Sequence, residues 1–218
     1  MSVVASNLTS ISTLTSASSY NSSSISPVAN ALILVSVESL FSTGTPNTPT
    51  VTGTSMTWVQ VNTEFDGSHL RVTVFRSLSA APGSGALTID FSAQAQHDVN
   101  ISIDQFTGVN TTGTNGSGAV VQSVIGTGTS TTPSVTLSAF ASVSNYAYGT
   151  MGVEAGGVTV TKGASFTELT NLANGSTGSE TEYAKNQTTV NWSMTSNTYA
   201  AVALEIAAQT TGFFTFMM

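Results

Sequence analysis

The chain has 218 residues, 40% of them hydrophobic, so it can bury a sizeable core. Only 7% are charged, with four Lys and Arg against eleven Asp and Glu, for a net charge of −7. Four scattered cations (Arg71, Arg76, Lys162 and Lys185) cannot neutralise a run of phosphates, which excludes nucleic acid as a partner. With no cysteine there is neither a disulfide framework nor a thiolate metal site.

Residues 1–26, "MSVVASNLTSISTLTSASSYNSSSIS", are Ser/Thr-rich with sparse Val, Leu and Ile. They lack a basic segment followed by an apolar one, so they do not read as a secretory signal. They are expected to form an extended arm outside the folded domain. No run of about 18 apolar residues follows, so no membrane span is expected.

From residue 27 the chain becomes a series of short apolar or alternating runs. The first are "ALILVSVE" (31–38), "MTWVQVNTEF" (56–65), "HLRVTVFRSL" (69–78), "ALTIDF" (86–91) and "VNISIDQF" (99–106). "AVVQSVIG" (119–126), "SVTLSAF" (134–140), "NYAYGTMGV" (145–153) and "FTELTNL" (166–172) follow. The series closes with "TEYAK" (181–185), "TTVNWSM" (188–194) and "YAAVALEI" (199–206). Alternation rich in β-branched and aromatic residues reads as half-buried strands. Asp66-Gly67 between two of these runs is a hairpin signal. Pro46, Pro49, Pro82 and Pro133 fall between runs, where they break no ladder.

The order of runs repeats once. "VANALILVSVES" answers "SVSNYAYGTMGVEA", with Glu38 set against Glu154, and "VTGTSMTWVQVN" answers "VTKGASFTELTN". "VTVFRS" answers "TEYAKN" (Arg76 against Lys185), "LTIDFS" answers "TVNWSM", and "NISIDQF" answers "AAVALEI" (Phe106 against Ile206). The expected class is all-β: a jelly-roll-like antiparallel β-sandwich of about 10–12 strands over 27–208. Internal duplication would make 27–109 and 134–208 its pseudo-repeats.

Chemistry is sparse. His69 and His97 have no second His at ligand spacing. Asp66, Asp90, Asp98 and Asp104 read as turn residues and solvated strand faces. Glu180 and Glu182 share a strand face, the spacing of a glycosidic acid/base pair, but they read first as a solvent-facing pair. Trp58, Trp192, Tyr146, Tyr148, Tyr183 and Tyr199 read as core, with a sugar-stacking platform as the alternative. No catalytic, cofactor-binding or metal-ligating residue is assigned. Eight Asn-x-Ser/Thr sequons matter only if the chain is secreted.

The stretch "TPTVTGTSMTWVQVNTEF…LRVTVFRS…ALTIDFSAQ…ISIDQFTGVNTTG" and its continuation to "AAVALEI" resemble a jelly-roll module of bacteriophage virion proteins. The marks are Trp58 after "TVTG", "FTGV" at 106–109 and the closing "AAVALEI". The resemblance implies a non-enzymatic virion component, either a capsid decoration (cement) protein or a tail or fibre part, assembled in the host cytoplasm. Its partners would be copies of itself, with a trimer favoured, and other virion proteins such as the major capsid protein. A lectin-like carbohydrate-binding module or surface adhesin is the alternative. Residues 209–218 lie outside the shared pattern. There Phe213, Phe214, Phe216, Met217 and Met218 form an apolar tail, expected to anchor the subunit on a neighbour.

Overall fold

The computed structural model describes residues 2–210. Among the described residues sixteen strands are formed, more than the ten to twelve expected. The first eight are β1 (Val4–Thr13), β2 (Ser19–Asn21), β3 (Leu32–Leu40), β4 (Thr50–Gly53), β5 (Val59–Phe65), β6 (Leu70–Leu78), β7 (Leu87–Asp90) and β8 (Asp98–Thr107). The second eight are β9 (Val120–Ser130), β10 (Ser134–Thr136), β11 (Tyr146–Val153), β12 (Thr161–Lys162), β13 (Thr167–Ala173), β14 (Gly178–Lys185), β15 (Thr189–Ser193) and β16 (Asn197–Ile206).

The sheets run β1-β8-β3-β6-β5 and β2-β7-β4 in the first half, and β9-β16-β11-β14-β13 and β10-β15-β12 in the second. The second pair of orders is the first with eight added to every strand. The N-terminal residues expected as an arm are therefore two strands of the fold. Val4–Thr13 pairs along β8, and Ser19–Asn21 pairs with β7. Ala5 packs towards one side of its sheet, and Leu8 and Ile11 towards the other, so even sparse apolar residues find a core.

The four sheets stack as four layers. Leu32, Leu34, Leu70, Val72, Val74 and Phe106 of the first large sheet pack against Tyr146, Tyr148, Val202, Leu204 and Ile206 of the second. The outer face of the first large sheet, with Ile33, Val35 and Ile101, is covered by Tyr20, Leu87 and Ile89 of its small sheet. The second is covered likewise by Val135, Val190 and Trp192. Every residue of β3 is buried, because a large sheet covered on both faces has no solvent side. This explains why "ALILVSVE" is nearly continuous rather than alternating.

Across the central layer β1 touches β13 and β5 touches β9, while β6 meets β16 and β8 meets β14. Adding eight to the first half and subtracting eight from the second turns each of these contacts into the other. The halves therefore meet as an isologous pair, each using the same surface.

The Asp66-Gly67 hairpin forms as expected. Asp66 Oδ1 accepts the backbone N–H groups of Ser68 (2.8 Å), His69 (3.0 Å) and Leu70 (3.0 Å), and Gly67 takes a φ of 88°. Replacing Asp66 by Ala removes all three acceptor contacts. The expected loss is about 1–2 kcal/mol, measured as a lower urea midpoint, and Asn at this position should retain most of the stability.

Candidate functional site: a buried acid pair beneath a surface cleft

β14 alternates strictly between two buried faces. Tyr183 points into the central core, while Ala184 joins the outer core of the second half. Glu180 and Glu182 share the face of Ala184, so the sequence "GSETEYAK" carries two carboxyl groups under the small sheet. Both are fully buried. Their reading as a solvent-facing pair is therefore wrong. β14 lies between β11 and β13, and its residues 178–182 are buried on both faces.

Trp192 Nε1 donates to Glu180 Oε2 at 2.5 Å, and the Gly163 N–H donates to Glu182 Oε2 at 2.8 Å. The second oxygen, Oε1, has no partner in either side chain. On the neighbouring strand Gly149 lies opposite Glu182, and a Cβ there would collide with Val190 and Trp192. The glycine thus lets the indole lie down on the sheet and reach Glu180.

Burial pushes Glu180 up to about 9, and the neighbouring Glu182 adds to the shift. Burial pushes Glu182 up to about 8, against the opposing pull of the Gly163 N–H and the Lys162 ammonium. Both groups are neutral acids at pH 7. Glycosidic hydrolysis needs a carboxylate and an acid that both reach the sugar, and these two are covered.

Above them opens a cleft of about 670 Å³, lined among others by Thr132, Ser134, Thr161, Lys162, Asn191 and Trp192. It offers hydroxyls, one amide and one ammonium, which suits hydrogen bonding to a small polar ligand. Its walls come from β10, β12 and β15, far apart in sequence.

The other candidates are dispersed. His69 lies 3.4 Å from Glu154, and His97 lies 3.1 Å from Asp98. Asp90 Oδ1 accepts the Ser92 N–H at 2.7 Å, a turn role as expected. Asp98 and Asp104 are fully buried, contrary to their reading as solvated residues. Both lie on β8, which runs inside a sheet covered on both faces. Asp104 accepts from Asn7 (2.9 Å), Ser102 (3.0 Å) and Tyr148 (3.1 Å), and burial pushes it up to about 6 against those bonds.

Tyr146, Tyr148, Tyr199 and Trp192 are buried, while Trp58 and Tyr183 are half-buried, so these rings form no exposed platform. Among the described residues no group of three or more His, Asp or Glu side chains is placed to hold a metal ion. No helix among them is long and apolar enough to cross a membrane. Phe213, Phe214, Phe216, Met217 and Met218 lie outside the described residues.

Sequence reasoning missed the buried acids Glu38 and Glu205. Glu205 accepts from Asn145 and Gln122, and Glu38 from Asn100. The available signal was their place in runs apolar on both faces, "ALILVSVE" and "YAAVALEI".

Compared with protein-family models, curated proteins and solved structures, the chain finds no match in any of the three. Its function is read from its own geometry.

Proposed function

We propose that the protein is a non-enzymatic structural subunit of a virion, a capsid decoration protein or a tail or fibre component, built from two jelly-roll units. The observation that carries this reading is the strand order 1-8-3-6-5 facing 2-7-4, present in both halves. Eight strands wound into two facing sheets are the architecture of viral capsid domains and of lectins. The outward side chains of the small sheets support an assembly role. Thr50 and Thr52, then Ser134, Thr136, Thr189, Asn191 and Ser193, give faces dominated by hydroxyl and amide groups, with Asp90 and Lys162 as their charges, that can lie flat against neighbours.

In this reading the subunit assembles in the host cytoplasm with copies of itself, as a trimer, and docks on another virion protein. Phe213, Phe214 and Phe216 serve as the anchor. A buried Phe contributes roughly 1.5–3 kcal/mol, enough for three to hold a subunit after ordering costs are subtracted. Light scattering on the full chain and on one ending at Gln209 tests this. The cut keeps the bonds from the Ala208 N–H to Asn145 and from the Gln209 N–H to Gly108. The full chain is expected to be a discrete oligomer and the shortened one a folded monomer. Two equally folded monomers would remove the anchor from the account.

The cleft beside Lys162 and Asn191 favours one second reading, a lectin-like module. Glycan-array binding lost in Asn191→Ala, but retained without residues 210–218, would select it.

A further inference from the structure

A second polar cluster lies at one end of the central interface. Glu38 of β3 and Asp98 of β8 are both buried, and burial together with the neighbouring Asp98 pushes the Glu38 carboxyl well above the usual carboxylate range. Asn100 Nδ2 donates to Glu38 Oε2 (2.7 Å) and to Thr177 Oγ1 (3.0 Å), while Thr177 Oγ1 donates to Asp98 Oδ1 (2.9 Å). Asn174 Oδ1 accepts from the same hydroxyl at 3.3 Å and from the backbone N–H groups of Ser176 (2.9 Å) and Thr177 (2.8 Å), and Ser12 Oγ donates to Asn100 Oδ1 at 2.6 Å. Four separate stretches of chain, from both halves, thus bring oxygens to one small volume.

The cluster is incomplete as it stands. Glu38 Oε1 is buried and has no hydrogen-bond partner. A proton placed on Oε1 would find no acceptor there, and a proton on Oε2 would leave Oε1 unmet. Ionised, the pair would be two buried negative charges, and no Lys or Arg among the described residues makes an ion pair. The basic group that touches the cluster is the part-exposed His97, through Asp98 Oδ2.

We propose that Glu38, Asp98, Asn100 and Thr177 form a calcium site that ties the two halves of the chain together. Calcium accepts six to eight oxygens in a flexible arrangement, and two carboxylates balance its charge. The amide and hydroxyl oxygens supply further ligands once the Asn100 amide turns over to present Oδ1. Magnesium demands a stricter octahedron and keeps its waters, so it fits this mixed set less well. The site occurs once per chain. The ladder pairs Glu38 with Asn100 in the first half, and the equivalent pair in the second is Gly152 with Ala200. The proposal does not depend on the virion reading.

The test is calorimetric titration of the full-length, EDTA-treated protein with calcium, alongside thermal unfolding. One ion per chain is expected. The Tm should rise by roughly 5–10 °C at a calcium concentration about a hundredfold above Kd. Magnesium should give a smaller shift, and EGTA should reverse the effect. Glu38→Gln and Asp98→Asn should lose the response, while Asp90→Asn at a surface turn keeps it. The wild type decides the matter even if a variant fails to fold. Absence of binding up to about 10 mM, above the range of the weakest calcium modules, overturns the site. So does a calcium shift that survives in folded Glu38→Gln and Asp98→Asn.

Discussion

A chain cut to residues 2–118 is expected to aggregate or to pair with a second copy of itself, and not to persist as a folded monomer. The cut falls in the Gly-rich segment between β8 and β9 and leaves the first pair of sheets whole. It exposes the inner face of the first large sheet, with Leu32, Leu34, Leu70, Val72, Val74 and Phe106. At roughly 1.5–3 kcal/mol per buried side chain, those six account for about 9–18 kcal/mol of burial. That is comparable to the whole net stability of a typical domain. For the same reason the intact chain should unfold in one transition, with both halves lost together. Light scattering and circular dichroism on the half-chain read the outcome. A monodisperse monomer with cooperative unfolding would show that the central layer is not needed for folding.

The double variant Glu180→Gln, Glu182→Gln is expected to be more stable than wild type at pH 8 and close to it at pH 4. In the folded protein these acids keep their protons up to about 9 and about 8. In the unfolded chain they lose them near the ordinary carboxylate value of about 4.3. Between those limits the native state binds more protons than the unfolded state, so stability falls as pH rises. The decline approaches about 1.4 kcal/mol per pH unit for each group and stops once the native groups also ionise. Asp104 adds a shorter decline that ends near its own value of about 6. Glutamine is neutral throughout, and its carbonyl oxygen still accepts from the Trp192 and Gly163 donors. Urea midpoints measured from pH 4 to 9 should therefore slope downwards for wild type and much less steeply for the variant, which retains the contributions of Asp104 and Glu38. Parallel profiles would mean that the pair does not hold its protons.

Much of the fold could be read from the sequence, because half-buried strands announce themselves by alternation. All twelve expected runs overlap strands. β1 and β2 escaped because Ser and Thr dominate them, with apolar residues too sparse to set a period. β4 and β12 are too short to carry a pattern. The repeated order of runs follows the strands, but residue matching within it slips. Counting along the ladders from Phe106 and Ile206 sets Glu38 against Gly152, not Glu154. The site was less legible. An alternating strand says which residues share a face, not whether that face meets water. Glu180 and Glu182 were placed together correctly and given the wrong surroundings, since the small sheet covering them comes from distant segments.

The paired halves also bear on how such a chain can diverge. Two identical subunits related by a two-fold axis must carry every substitution twice, so a costly polar group on one side is mirrored on the other. Joined in one polypeptide, the halves are released from that constraint. Glu38 and Asn100 occupy positions where the other half keeps Gly152 and Ala200, and Gly152 makes room for the Glu38 side chain itself. One half can then specialise while its counterpart stays small and accommodating, a division of labour that two separate identical chains could not adopt.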